Sequence, residues 1–268
     1  MLWTLAGLRR TSTMKIRIGV MLLAAQCLGA QQPGVQEIIS NSVAANQRDF
    51  DAAPHFNWKE RDKTSTGSKT YQVTMIDGTP YYRLLAQNGH NLSAQAEAQE
   101  IAKQKQETEK RNSESTDARR DRIAKWEKGR IRDNDLMKQL TVAFNFTLLG
   151  TRRVRGFQVW VLKATPRPGY QPPNMDTQVL PGMQGELWID QRTFQWVHVH
   201  AAVIQPVSIE GFLAQVQPGT QFDLQKSPIA GGSWQPTHYS MKAQAKVLFL
   251  FSHNSQEDDT YWDYQPAN

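Results

Sequence analysis

Two histidines lie at a spacing that could bind a metal ion. His198 and His200 are separated by one residue in a run with strand-like alternation. Alternate residues of a strand point to the same face, so both imidazoles should share the face of Phe194 and Trp196. Zinc would need a third ligand, for which His238 or a carboxylate would serve. Nothing in the spacing ties such a ligand to the pair, so we interpret these histidines as surface or edge residues and predict no metal site.

The chain lacks the short motifs that carry well-known catalytic chemistry. It contains no Gly-x-Ser-x-Gly nucleophile turn, no His-Glu-x-x-His zinc helix and no glycine-rich phosphate loop. The acidic run 257–259 could attract a cation, but we interpret it as a solvated loop. We therefore predict that the protein is not an enzyme and has no catalytic residue and no cofactor.

The N-terminus has the order of features expected of a secretory signal peptide. A basic stretch at 14–17 leads into an apolar run, and small residues precede the polar break at 31–34. The apolar run is too short to span a bilayer. We predict that residues 1–30 are a cleaved signal peptide, with Met14 as an alternative start.

Cleavage after residue 30 changes both the charge and the cysteine content. Four cations and no acids lie in residues 1–30, so the formal charge falls from +6 to +2. A nearly neutral chain lacks the basic footprint of a nucleic-acid-binding protein, and we predict no nucleic-acid partner. Cys27, the only cysteine, is also removed, which excludes an internal disulfide. Lipid attachment at Cys27 is the alternative, although Gln26 stands where a lipobox has a small residue.

The remaining patterns predict an α+β fold built on one sheet. A helix is predicted over Gln36 to Gln47. Short runs then alternate apolar and polar residues up to Ala86, and the alternation returns from Ala143 to the C-terminus. We count roughly ten strands, joined mostly by short turns, which favours a large curved antiparallel sheet over a parallel α/β fold. The apolar stripe predicted for the helix consists of Val35, Ile38, Ile39, Ser42 and Val43.

A charged segment interrupts the strands. Of the 46 residues from 94 to 139, 22 are charged, 12 of them basic and 10 acidic. Ser93 can cap a first helix, and Thr116 or Asp117 can cap a second one that carries Trp126 on a thin apolar stripe. We interpret the segment as a solvated helical hairpin inserted into the domain. A coiled coil that recruits a protein partner, or a helix on a membrane surface, are the alternatives.

The stretch 185–201 resembles the LolA/LolB-like lipoprotein-carrier family. It has a glycine at Gly185, an apolar-aromatic-Ile-Asp strand ending at Asp190, a short turn, and a second alternating strand. The order of elements along 31–268 is also similar to that of this family. The resemblance implies a single domain, an incomplete barrel with an apolar concave face covered by helices. It also implies a bacterial periplasmic location and lipid or lipoprotein acyl chains as partners.

The concave face of such a half-barrel supplies the candidate ligand-binding residues. The longest clean alternation, from Tyr239 to Phe251, should line it. The alternative is that these side chains form a packed core. We predict a carrier or sensor for acyl chains; the alternative is a non-catalytic envelope module that binds a protein partner through 94–139. The candidate cavity residues are Trp160, Trp188, Trp196, Met241, Val247, Phe249 and Phe251.

The first prediction concerns export. Because residues 15–30 follow the basic-apolar-small order, the mature protein should begin near Gln31 and lack Cys27. The intact mass of the protein from its native cell measures this directly. A full-length cytoplasmic species, or a diacylated Cys27, would refute the signal-peptide interpretation.

Overall fold

An open antiparallel sheet dominates the computed structural model, which describes residues 32–209, 214–247 and 251–267. The sheet has thirteen strands in the order β4-β3-β2-β1-β13-β12-β11-β8-β7-β6-β5, and β9 and β10 are attached to it beside β12. The strands are β1 Phe56–Thr64, β2 Gly67–Ile76, β3 Thr79–Gln87, β4 His90–Asn91, β5 Phe144–Val154, β6 Phe157–Pro166, β7 Met183–Asp190, β8 Trp196–Val203, β9 Val207–Ile209, β10 Ala214–Val216, β11 Gln221–Pro228, β12 Trp234–Val247 and β13 Phe251–Pro266.

Three α-helices accompany the sheet in the part of the chain that is described. They are α1 Val35–Ala52, α2 Ala94–Asn112 and α3 Thr116–Ala143. The α+β class with one large, curved, unclosed antiparallel sheet is confirmed. Three of the strands, β4, β9 and β10, have only two or three residues and are too short to produce an alternating pattern. The predicted signal peptide 1–30 and Phe249 lie outside the described residues. None of the described helices is long and apolar enough to cross a membrane.

Helix α1 lies on one side of the sheet, which we call the inner face. Its buried positions Ile38, Ile39, Ser42 and Ala45 follow helical spacing and form one stripe. The two isoleucines pack in one core cluster with inward side chains of β6 and β7, among them Leu162. Burial of each such side chain is worth about 1.5–3 kcal/mol. The predicted stripe is therefore largely correct, with Ala45 extending it.

A β-bulge in β8 decides which side chains reach the inner face. Ile189 pairs with Trp196, but the preceding Trp188 pairs with His198, so Val197 is an extra residue. Trp196 consequently points inward, whereas His198 points outward. The prediction that the two histidines share the face of Trp196 is wrong. The extra residue Val197 shifts the alternation between Trp196 and His198, so both histidines lie on the outer face.

Buried polar bonds fix the C-terminal half of α1 to the sheet. The Asp49 carboxylate is 3.0 Å from the Lys226 ammonium and accepts the Trp234 backbone N–H at 2.9 Å. Asn46 accepts a second hydrogen bond from Lys226. Burial lowers the pKa of Lys226, and the attraction of Asp49 opposes that shift. Neither charge would be stable at this depth without the other.

The N-terminal part of the charged hairpin docks on the β2–β3 turn through arginines. Arg111, at the end of α2, donates to the carbonyl oxygens of Ile76 and Thr79 beside the β2–β3 turn. Arg122 of α3 donates to the Asp77 carbonyl in the same turn. Ser93 caps α2 as predicted, but Ser115 caps α3, one residue before the predicted cap.

Helix α3 continues beyond the predicted end of the insertion. It runs to Ala143, four residues past 139. Met137 and Leu140 pack against the core beneath α1, and Ala143 is fully buried. The C-terminal turns of the hairpin therefore belong to the core, whereas its N-terminal portion is mainly solvated.

The Asp49–Lys226 pair generates a stability prediction. The Asp49→Asn substitution leaves the Lys226 ammonium buried without a countercharge, and should lower the free energy of unfolding by about 3–5 kcal/mol. Asp51→Asn, on the exposed side of the same helix, is the matched control. Urea denaturation measures both. Equal stabilities of the two variants would show that the pair does not hold α1.

Candidate binding site

An apolar cleft lies between α1, the end of α3 and the inner face of β5 to β8. Its walls are almost entirely apolar, and its volume is about 60 Å³. Each element lines the cleft with residues from its inward side. Ile39 and Val43 come from α1, Leu140 from α3, and Phe146 and Val199 from strands. We call this feature the apolar cleft.

The size of the apolar cleft limits what it holds in this conformation. A volume of about 60 Å³ exceeds what one water needs but is far below the roughly 300–1,000 Å³ of typical ligand pockets. An acyl chain would therefore fit only if the cleft widened. Widening would have to displace α1 or the end of α3, since the opposite wall is continuous sheet.

Two of the predicted cavity residues belong to the packed core under α1. Trp160 and Trp196 are both buried in the cluster that contains Ile38 and Ile39. The Trp196 indole N–H donates to the Ser42 hydroxyl at 2.6 Å, which ties β8 to the middle of α1. Trp196 also lines the apolar cleft, while Trp160 packs against Phe194. These tryptophans hold α1 in place.

Trp188 lies on the outer face, so it does not line the cleft. Its ring makes an edge contact with His198 at 4.8 Å between centroids, and the Arg152 guanidinium lies 4.9 Å from the ring centre. Its N–H donates to Glu186. The physical reason is strand alternation, because the neighbours Leu187 and Ile189 occupy the inner face.

The candidates on β12 and β13 lie nearer the other half of the sheet. Met241 is half-buried on the inner face, in register between Phe222 of β11 and Glu257 of β13. Val247 and Phe251 pair with each other through their backbones. The side chains of Val247 and Phe251, and the whole of Phe249, lie outside what the structure describes.

The inner face changes character across the sheet. One row of paired residues starts with Leu162 and Leu187 on β6 and β7 and continues through apolar neighbours. Beyond β12 the same row reaches Asp259 and Asp62, which are directly opposite each other on β13 and β1. The full row is Leu162, Leu187, Val199, Leu224, Tyr239, Asp259, Asp62 and Lys69.

Four carboxyl groups form an acidic patch on this second half of the inner face. They are Glu60, Asp62, Glu257 and Asp259, and we use "acidic patch" for this set. Burial is the largest cause that raises the pKa of each one, and for Glu60 the value is about 7. Other carboxylates of the patch add to the rise for Glu60, Asp62 and Glu257, whereas hydrogen bonds with Lys63, Glu257 and Tyr261 oppose the rise for Asp259.

Sequence reasoning missed the acidic patch because it treated 257–259 as a loop. The structure instead places these residues in β13. Glu257 and Asp259 point inward, and Asp258 points outward towards His238 at 3.6 Å. The alternation of Glu257 and Asp259 could have indicated a strand with two acids on one face. It could not have indicated the acidic partners on β1, which are about 200 residues away in sequence.

The histidines form carboxylate contacts on the outer face. His198 Nε2 lies 2.7 Å and His200 Nδ1 3.3 Å from the same Asp223 oxygen. His238 is not among these contacts and lies near Asp258 instead. Within the described ranges, no three His, Cys, Asp or Glu side chains are arranged to hold a metal ion.

Comparison with known proteins gives structural likenesses only. No family model and no curated protein sequence matches the chain. The LolA superfamily protein of Nitrosomonas europaea is 12% identical over 87% of this chain and 93% of that one, with a TM-score of 0.29. An outer membrane lipoprotein-sorting protein domain of Vibrio parahaemolyticus is 12% identical, with a TM-score of 0.25. That match covers 46% of this chain and only 42% of the other.

A third likeness is to the MucA/MucB complex of Pseudomonas aeruginosa. It is 10% identical, covers 85% of this chain and 99% of that chain, and has a TM-score of 0.22. The names of the first two structures agree with the resemblance in residues 185–201. All three TM-scores are low, so the superpositions carry no argument, and the fold assignment rests on the strand order and register of the sheet itself.

Proposed function

We propose that this protein is a non-catalytic binding or carrier protein of the bacterial periplasm, and that its ligand is a lipid or lipoprotein acyl chain. The observation that carries the proposal is the apolar cleft, whose walls offer almost no polar group to a ligand. Such a surface selects for hydrocarbon, since burial of each methylene is worth about 0.8 kcal/mol. The basic-apolar-small order of residues 15–30 supports export, and the resemblance of residues 185–201 to the LolA/LolB-like family supports the bacterial periplasm as the location.

Binding requires α1 to move, and its two halves are held differently. The described polar bonds between α1 and the sheet come from Ser42 and residues that follow it, up to Asp49. The first two turns are held by apolar side chains, chiefly Ile38 and Ile39. We infer that the N-terminal half of α1 lifts while the Asp49 end remains in place.

The energetics favour long chains. Exposing Ile38 and Ile39 would cost about 3–6 kcal/mol, at about 1.5–3 kcal/mol for each side chain. About ten buried methylenes would contribute about 8 kcal/mol and offset the whole of that range, whereas four or five would contribute about 3–4 kcal/mol and offset only its lower end. The proposal therefore includes a minimum chain length.

The docking of an envelope protein on 94–139 stays a prediction. Many hairpin charges pair within the hairpin itself, as Arg111 does with Glu107 and Arg122 with Glu114. Those pairs leave less charge for a partner. We therefore prefer the apolar cleft to the hairpin 94–139 as the functional site.

Filling the cleft tests the proposal. In Val43→Trp the indole should occupy space that several methylenes need, so the Kd for the fluorescent fatty acid cis-parinaric acid should rise at least about tenfold. Ala44→Trp, on the exposed side of the same turn, is the matched control and should bind like the wild type. Displacement of the probe by palmitate but not by octanoate would support the minimum length.

Two outcomes would contradict the acyl-chain proposal. One is a wild-type protein that neither binds the probe nor carries lipid in native mass spectrometry. The other is a folded Val43→Trp variant, verified by its thermal transition, that binds as tightly as the wild type and as Ala44→Trp.

A further inference from the structure

The acidic patch has an unusual charge balance for a half-buried sheet face. Asp62 and Asp259 are directly opposite each other, an arrangement that is unfavourable for like charges. Among the basic residues of the described strands, Lys69 alone is in register with a member of the patch, and its side chain is exposed. The nearby Arg61 and Lys63 alternate onto the outer face.

A buried acceptor in the patch lacks a donor. Asp259 is only 5% exposed, and its Oδ1 atom has no hydrogen-bond partner among the described residues. Its Oδ2 atom accepts a long hydrogen bond of 3.4 Å from the Tyr261 hydroxyl, and hydrogen bonds with the Lys63 backbone and the Glu257 side chain also lower the pKa of this carboxyl group. A buried carboxylate oxygen without a partner is costly, and an N–H donor from outside would remove that cost.

Tyrosines flank one of the carboxylates, Glu60, on both neighbouring strands. Tyr261 is in register with Glu60 on one side, and Tyr71 is in register with it on the other. Tyr71 also meets Tyr82 edge-to-face at 6.0 Å between centroids. The faces of such rings attract organic cations, which are bound by cages of aromatic side chains and carboxylates.

We propose that the acidic patch is a second ligand site, which binds a primary alkylammonium group. The ammonium would donate to Asp259 Oδ1, lie against the Tyr71 and Tyr261 rings, and balance the paired charges of Asp62 and Asp259. An alkylammonium fits better than a metal ion because no three described carboxylates or histidines converge as metal ligands. The site is distinct from the apolar cleft, which lies against β5 to β8.

The binding should depend on pH in a defined direction. A cation favours ionised carboxylates, and burial raises the pKa of Glu60 to about 7. Affinity should therefore be highest above pH 7 and should fall as the pH drops and the patch takes up protons. The charged and titratable groups that act on Glu60 or are acted on by it are Asp62 on β1, Tyr71 on β2, Tyr82 on β3, and Asp259, Tyr261 and Tyr264 on β13. Lys69 acts on Asp62, Glu257 lies by Asp259, and Glu100 of α2 acts on Tyr71.

Three soluble probes test the proposal by NMR titration of the whole protein at constant ionic strength. Butylammonium carries charge and N–H donors, choline carries charge without N–H donors on its nitrogen, and 1-butanol has no charge. Butylammonium should bind most tightly, choline more weakly and butanol least, with the shift changes on β1 and β13. The affinity for butylammonium should be lower at pH 5.5 than at pH 8.

Two neighbouring carboxylates provide a matched pair of variants. Asp259→Asn should weaken butylammonium binding about tenfold or more. Asp258→Asn removes the same charge one residue away on the outer face and should leave binding unchanged. If Asp259→Asn does not fold, Asp62→Asn replaces it with the same expectation.

Equal binding of butanol and butylammonium, or equal effects of the 258 and 259 substitutions, would overturn the proposal. Binding of fatty acid should be unaffected by Asp259→Asn. Failure of the ammonium site is therefore distinguishable from failure of the acyl-chain site, which the Val43 variant reports.

Discussion

The buried contact between Asp49 and Lys226 is the interaction on which the rest of the structure depends. It joins the C-terminal half of α1 to β11, and the Trp234 N–H adds β12 to the same carboxylate. An ion pair at this depth costs desolvation energy and adds little net stability, but it ties the C-terminal half of α1 to one place on the sheet. With α1 fixed there, Ile38 and Ile39 cover the apolar half of the inner face and leave the acidic half uncovered by that helix. The helix therefore covers only one of the two chemically different halves of the inner face.

The two halves also come from different parts of the chain. The apolar half uses strands between residues 144 and 228, whereas the acidic patch forms where β1 pairs with β13, one near each end of the described chain. Loop closure over about 200 residues brings Asp62 opposite Asp259. Like charges held together in this way reduce stability, and such a cost is typical of functional sites. The protein thus combines an apolar core with a face on which two carboxyl groups lie directly opposite each other.

Much of this architecture could be predicted from the sequence, because periodicity reports local geometry. The stripe on α1, the Ser93 cap and the strand-turn-strand of 185–201 all depend on neighbours within a few residues. The errors arose where geometry is not local. The bulge at Val197 places His198 on the opposite face from Trp196, and the residue types around Val197 do not indicate a bulge. The acidic patch was missed because pairing partners distant in sequence leave no pattern in a single chain. Whether Trp160 and Trp196 line a cavity or a core is a question of volume, which alternation cannot answer.

The central claim is that α1 is a lid whose N-terminal half lifts to admit an acyl chain while Asp49 holds the other end. Hydrogen–deuterium exchange with and without palmitate tests this claim most directly. We expect exchange to change in residues 35–43 and in the end of α3 around Leu140, with residues 46–52 as protected as before. A palmitate complex in which exchange of residues 35–43 is unchanged, or in which the whole of α1 loses protection, would contradict it.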